Sequence, residues 1–196
     1  MALTDWTQYD GTEHGASSEQ VHNGSVSYKF NNGTHSGMLI HDQSATDSPT
    51  EGRVEYWFRP DFDGDSAPGG IAFRVQDANN LYLACTNDDV TQMYLAKNTG
   101  TGWTSVDGSN TTHDTTLSWY QYRFTFWEDS GTLNVRWEQD TGGGYSLMGD
   151  DMSDPANDLS DGGGIGIHNH GTAASALSQS TNGIQAVWFD DVEVFW

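Results

Sequence analysis

The chain has 196 residues, of which 28 are acidic and seven basic, so its formal net charge is -21. A balance this negative repels phosphate backbones and anionic headgroups, which disfavours nucleic acid and membrane surfaces as partners. Hydrophobic residues are only 35% of the total, yet eight Trp, eight Tyr and eight Phe supply core material, and that aromatic content argues against a disordered acidic tail.

The opening stretch carries Trp6 and Tyr9, aromatic enough to dock on a core. Val26, Tyr28 and Phe30 suggest a first strand and Met38 to Ile40 a second, with Asp42 to Thr50 as a polar loop. Between Arg53 and Arg59, Val54, Tyr56 and Phe58 alternate with Glu55, Trp57 and Arg59, and Pro60 is expected to end that strand.

Gly69 to Lys97 reads as a three-stranded meander. Ile71, Phe73 and Val75 are expected to face inward and Ala72, Arg74 and Gln76 outward. After the turn at Asp77 to Asn80, the same logic sends Leu81, Leu83 and Cys85 inward and Tyr82 outward. In the third strand Met93 and Leu95 point inward and Tyr94 outward. Trp103 to Val106 is a short strand. Tyr120 to Phe126 then forms a hairpin with Leu133 to Trp137 through Ser130-Gly131, and Gly164 to His168 and Val187 to Trp196 close the chain. Neither an internal repeat nor a linker divides it, so one all-β domain over residues 1–196 is expected.

The ordered set VEYWFRP, GIAFRVQDANNLYLA, QMYLAK, WYQYRFTF, TLNVRWE, GGGIGI and FDDVEVFW resembles the concanavalin A-like, laminin-G-like jelly rolls. The likeness covers roughly Arg53 to Trp196, with the first fifty residues as initial strands of the same sandwich. It implies a two-sheet antiparallel sandwich, a fold that hosts lectins, carbohydrate-binding modules, glycosidases, adhesion modules and viral spikes. Relatives that bind glycans use the exposed face of one sheet or its rim, and relatives often hold a structural Ca²⁺ between the termini, which nominates Asp190 or Asp191.

Seven residues are the expected glycan-binding set: Glu55, Trp57, Arg59, Arg74, Gln76, Tyr82 and Tyr94. Flat aromatic faces suit sugar C–H surfaces, and guanidinium, amide and carboxylate groups suit hydroxyl pairs. The same face could equally be a solvated one with cross-strand Glu–Arg pairs, or one covered by another subunit.

Asp61, Asp63 and Asp65 mimic the start of a calcium loop, but the glycine stands fourth and Ala72 occupies the twelfth position. His168 and His170 lack a third zinc ligand at a telling spacing. Cys85, the only cysteine, rules out an intrachain disulfide and reads as a small buried hydrophobe. The acid-x-acid-x-x-acid strand of this fold's retaining glycosidases is missing, so no catalytic residue is assigned.

The Lys-poor, acidic composition resembles that of proteins from extremely halophilic archaea and their viruses, since screening within ~3 Å at 1 M salt makes self-repulsion tolerable. Met1 to Asp10 has no basic start and no apolar run, and no stretch approaches the ~18 apolar residues that span a bilayer. The resulting expectation is a non-catalytic recognition or structural module. It would be a virion turret, spike or tail protein of a haloarchaeal virus that contacts host glycans and other virion proteins as a homo-oligomer. A carbohydrate-binding module or lectin of a secreted haloarchaeal protein, and a glycoside hydrolase of unusual site, are the alternatives.

Overall fold

The computed structural model describes residues 5–10, 14–30, 37–61, 69–86, 92–110, 118–169 and 186–196. Fifteen strands are found among them: β1 (Trp6–Asp10), β2 (His14–Ser17), β3 (Ser27–Phe30), β4 (Gly37–His41), β5 (Gly52–Asp61), β6 (Gly69–Asp77), β7 (Asn80–Thr86), β8 (Gln92–Thr99), β9 (Trp103–Asn110), β10 (Tyr120–Asp129), β11 (Thr132–Asp140), β12 (Tyr145–Leu147), β13 (Met152–Asp154), β14 (Gly164–Asn169) and β15 (Ala186–Phe195). A short helix, α1 (Asp42–Asp47), lies within the stretch expected to be a polar loop. His41 caps it, its Nδ1 accepting from the Ser44 N–H at 3.3 Å.

Two antiparallel sheets form the concanavalin A-like jelly roll. The first runs β1-β4-β14-β6-β7-β8-β9 and the second β12-β11-β10-β5-β15-β3-β2, with β13 added beside β11. Between them sits an aromatic core in which Phe73 meets Phe124 at 5.2 Å and Phe126 at 4.8 Å between ring centroids. Each such ring, fully buried, contributes about 1.5–3 kcal/mol through the hydrophobic effect. The period-two alternation of β5 and β10 holds throughout: Val54, Tyr56 and Phe58 and Tyr120, Tyr122, Phe124 and Phe126 face this core. Their alternates therefore line the outer face of the second sheet. β5 continues through Pro60, which lies opposite Val187, so the proline does not end the strand.

The first sheet departs from the expected pattern. Its outer face is also apolar and buried. Met38, Ile40, Ala72, Val75 and Leu81 cluster against Trp103, and Leu83, Cys85 and Ala96 cluster against Tyr94 and Trp103. The parity of β7 is thus the reverse of the one expected. Phe73 stands opposite Tyr82, so Tyr82 and Ala84 face the inter-sheet core while Leu81, Leu83 and Cys85 face away from it. Hydrophobicity alternation assigns faces only when one face is wet, and in this sheet both are dry.

β6 also contains a bulge. Ala72 pairs Gly166 and Val75 pairs Gly164, so β6 carries one extra residue, and Arg74 there adopts φ 48°. The bulge carries Val75 to the outer cluster and turns Arg74 into the interior, where its relative exposure is 0%. Gly163 makes the close approach possible, because a Cβ there would fall 2.5 Å from the Arg74 carbonyl carbon.

Candidate functional site

The seven residues expected to share one face are divided between four environments. Glu55, Trp57 and Arg59 do share a face, the outer side of the second sheet, because all three alternate with the core residues of β5. Tyr94 belongs to the outer cluster of the other sheet, and Gln76 is exposed, with its Nε2 donating to the Gly162 carbonyl oxygen at 3.2 Å. Arg74 and Tyr82 are interior.

These two interior groups are fully occupied. Arg74 donates from Nε and Nη2 to the Thr50 carbonyl oxygen at 3.1 and 2.6 Å, from Nη1 to Asn157 Oδ1, and lies 3.4 Å from Glu128 Oε2. Burial pulls its pKa below the ordinary arginine value, partly offset by Glu128. Tyr82 donates to Asp154 Oδ2 at 2.6 Å. A ligand reaches neither of them.

The outer face of the second sheet carries the polar chemistry instead. On β10, Arg123 lies between Glu55 of β5 and Glu138 of β11. Its Nε and Nη2 donate to Glu138 Oε2 and Oε1 at 2.8 and 2.7 Å, a bidentate fork that fixes both side chains. The Arg123 bond holds the Glu138 carboxyl below its usual range. Tyr145 covers the same guanidinium at 4.1 Å from its ring centroid and donates to Glu55 Oε2 at 3.4 Å. Burial, with Glu55 beside it, pushes the Tyr145 phenol up to about 12.

Two further arginines repeat the arrangement. Arg53 lies 3.2 Å from Glu55 Oε1 and 4.3 Å from the Phe195 ring centroid. Arg136 donates from Nε and Nη2 to Asp151 at 2.8 and 2.6 Å, with its guanidinium 5.4 Å from the Trp127 ring. Arg53, Arg123, Arg136, Glu138, Trp127, Phe195 and Trp196 line an open groove of about 610 Å³. Trp196 is anchored by its Nε1, which donates to Asp47 of α1 at 3.1 Å. Three of the chain's five arginines therefore sit in one concavity with Trp127, Phe195 and Trp196. Sequence reasoning did not bring this group together because it sought the outward face on β6, β7 and β8. The signal was present in WYQYRFTFWED and TLNVRWE, whose outward positions hold Arg123, Trp127, Arg136 and Glu138.

A second concavity of about 490 Å³ adjoins Trp57, lined also by Glu55, Gln121, Asp191 and Glu193. The His22 ring stacks on Trp57 at 3.6 Å with 15° between planes, and Trp119 meets His22 edge-on at 5.8 Å.

Asp190 and Asp191, the pair nominated for calcium, are engaged with groups of the chain itself. Asp190 is 0% exposed, and its oxygens accept from the backbone N–H groups of His22, Asn23 and Asp191 at 3.0, 3.1 and 2.9 Å. Asp191, at φ 46° in a bulge of β15, lies 3.7 Å from His22 Nδ1. Among the described residues no group of three or more His, Cys, Asp or Glu side chains is placed to hold a metal ion. The Asp63–Asp65 motif and His170 lie outside the described residues, with Asp61 described in backbone only. His168 is buried and meets Trp103 edge-on at 6.3 Å. Cys85 is fully buried, and burial drives its thiol pKa far up, which suits a packed hydrophobe.

No family model matches the sequence, and no curated protein matches it. Solved structures do match the fold. A carbohydrate-binding module, CBM66 from Bacillus subtilis, superposes with a TM-score of 0.61 at 16% identity, covering 98% of this chain and 96% of that one. The exoplasmic/lumenal domain of VIP36 in its Ca²⁺/Man-bound form gives 0.54 at 10% identity, covering 95% and 82%. The GH43 protein BlXynB from Bacillus licheniformis gives 0.55 at 11% identity, with 86% of this chain matching 32% of that one. The chain thus has the concanavalin A-like jelly-roll fold found in carbohydrate-binding modules and lectin domains. No described helix is long and apolar enough to cross a membrane.

Proposed function

We propose that this chain is a non-catalytic carbohydrate-recognition module that binds glycan in the groove on the outer face of its second sheet. The observation that carries the reading is the groove itself, where Trp127, Phe195 and Trp196 flank three arginines, each paired with a carboxylate. Aromatic faces pack against sugar C–H surfaces, and the Arg–carboxylate forks present donors and acceptors side by side for hydroxyls. The likeness to CBM66 over nearly both full chains supports it.

Binding without turnover is favoured by the state of the carboxylates. A glycosidase acid needs a raised pKa, whereas Arg123 holds Glu138 down and Glu55 is tied to Arg53 and Tyr145. The net charge of -21 favours concentrated salt as the working setting. In that setting the chain reads as a displayed component, either a turret, spike or tail protein of a haloarchaeal virus or a module of a secreted haloarchaeal protein.

The test is a glycan array in 2 M KCl, followed by calorimetry on each hit. Trp127→Ala and Arg123→Met are each expected to weaken binding about tenfold or more, equivalent to about 1.4 kcal/mol. Hits whose affinity neither substitution changes, or reducing-sugar release from a hit, would sink the reading.

A further inference from the structure

Two concavities lie in register along the same three strands. The first is built on residues 51–53 at the start of β5, 123–127 of β10 and 195–196 at the end of β15, with Arg136 and Glu138 of β11 beside them, and the second on residues 55–57, 121 and 191–193 of β5, β10 and β15. From Arg53 to Trp57 is four residues, or about 13 Å along a strand. The two sites therefore share one face and one direction, with Glu55 between them belonging to the second site and bonded to Arg53 of the first.

The second concavity is a built site. Its aromatic wall is Trp57, which His22 backs by stacking on it, and the backbone that presents His22 is pinned by the buried Asp190 carboxylate through the N–H groups of His22 and Asn23. The β15 bulge that frees Asp191 to approach His22 is the same irregularity that opens the sheet surface there, since Asp190 pairs Trp57 while Glu193 pairs Glu55. An aromatic plate thus stands at each end of a polar strip.

Charge narrows the ligand. Along this face Arg53, Arg123 and Arg136 are each held by a carboxylate, and the second site adds Asp191 and Glu193 without an added cation. Within the two concavities, neither of which Arg59 lines, a polyanionic glycan would meet no unpaired cation and would be repelled by Asp191 and Glu193. Resting on the carbohydrate-binding reading above, we infer that the face takes several consecutive units of a neutral polysaccharide chain, laid along the strands across both concavities, rather than a single terminal sugar.

The experiment measures affinity in 2 M KCl for ladders of neutral gluco-, manno- and fructo-oligosaccharides of about two to eight units, alongside carboxylated and sulfated counterparts. For at least one ladder, affinity is expected to rise at least tenfold with length until both concavities are spanned. In Trp57→Ala the long oligomers are expected to fall to the affinity of the short ones, with Trp57→Phe restoring part of the gain, and thermal melts confirm that both variants fold. Length-independent binding by the native chain, a length gain that survives Trp57→Ala, or stronger binding of the anionic counterparts would overturn the two-site inference while leaving glycan recognition standing. Binding of no glycan at all, on the array or in the ladders, removes the recognition reading and this inference together.

Discussion

The Arg74 guanidinium donates twice to the Thr50 carbonyl oxygen, at 3.1 and 2.6 Å, and is sealed from solvent at the end of the sandwich. It ties the bulge of β6 to the chain entering β5 and, through Asn157 and Glu128, to the loop after β13 and the tip of the β10–β11 hairpin. Replacing it with leucine leaves the Thr50 carbonyl and the Asn157 amide without their donor, at about 1–3 kcal/mol for each buried group. Arg74→Leu is expected to lower the urea midpoint clearly with an unchanged m-value, and to leave glycan affinity of the folded protein as it was. A midpoint equal to that of the native chain would show that this residue does not hold the end of the sandwich together.

A second buried network answers to pH. Asp154 accepts from Tyr82 at 2.6 Å and from Lys97 at 2.8 Å, and Lys97 also reaches Asp158 at 2.6 Å. Burial alone would raise the Asp154 pKa, but the Lys97, Tyr82 and Ala156 bonds outweigh it and the net shift is downward. A depressed carboxyl stabilises the fold above its unfolded pKa of about 3.9, and that contribution is lost as pH falls through the lower folded value. Lys97 is shifted upward, its partners Asp154 and Asp158 outweighing burial, so its share is present below about 10.4 and lost on the alkaline side. Asp154→Asn is therefore expected to cost stability at pH 7 and to flatten the acid limb below about pH 4. Urea midpoints from pH 2 to 8 check this, and parallel acid limbs in the two proteins would rule it out.

The strands β3 to β8, the long β10–β11 hairpin and the two closing strands were legible because apolar residues alternate there with polar ones, and the two-sheet sandwich followed from the resemblance. Face assignment in β7 failed for a physical reason. Leu81 and Leu83 look like core beside Tyr82, but Tyr82 satisfies its hydroxyl on Asp154 inside the core, and the leucines are buried in the outer layer. Arg74 was misplaced because a one-residue bulge inverts parity, and nothing in FRVQD announces it. Trp57 and Glu55 were placed on an outer face correctly, yet their neighbours are Arg53, Arg123 and Glu193. That pairing depends on strand order across the sheet, which local pattern does not encode.

Asp190 offers a direct check on the loop that presents His22. Alanine there removes the acceptor for three backbone N–H groups, at about 1–3 kcal/mol in all if water reaches the loop. Asp190→Ala is expected to lower the melting temperature, to release the His22–Trp57 stack and to weaken long oligosaccharides more than short ones. Adding Ca²⁺ should restore none of this. Near-ultraviolet circular dichroism of the tryptophans reports the stack; a spectrum unchanged in the variant would place the control of His22 elsewhere.

Salt should act on this chain in the direction opposite to its usual effect on ion pairs. Among the described residues, six of the seven basic side chains already pair with carboxylates, and Arg59 is the remaining one. The surplus of the 28 acidic residues thus has mainly one another as charged neighbours. Shortening the screening length from about 10 Å at 0.1 M to about 3 Å at 1 M weakens the pairs somewhat and the many longer repulsions far more. The melting temperature is expected to climb steadily from 0.1 to 2 M KCl at pH 7. It should climb much less at pH 4, where partial protonation removes the repulsion that salt would otherwise screen. Calorimetric scans at both pH values decide it: a melting temperature that falls with KCl, or an equal rise at the two pH values, would mean that carboxylate repulsion is not what limits this fold at low salt.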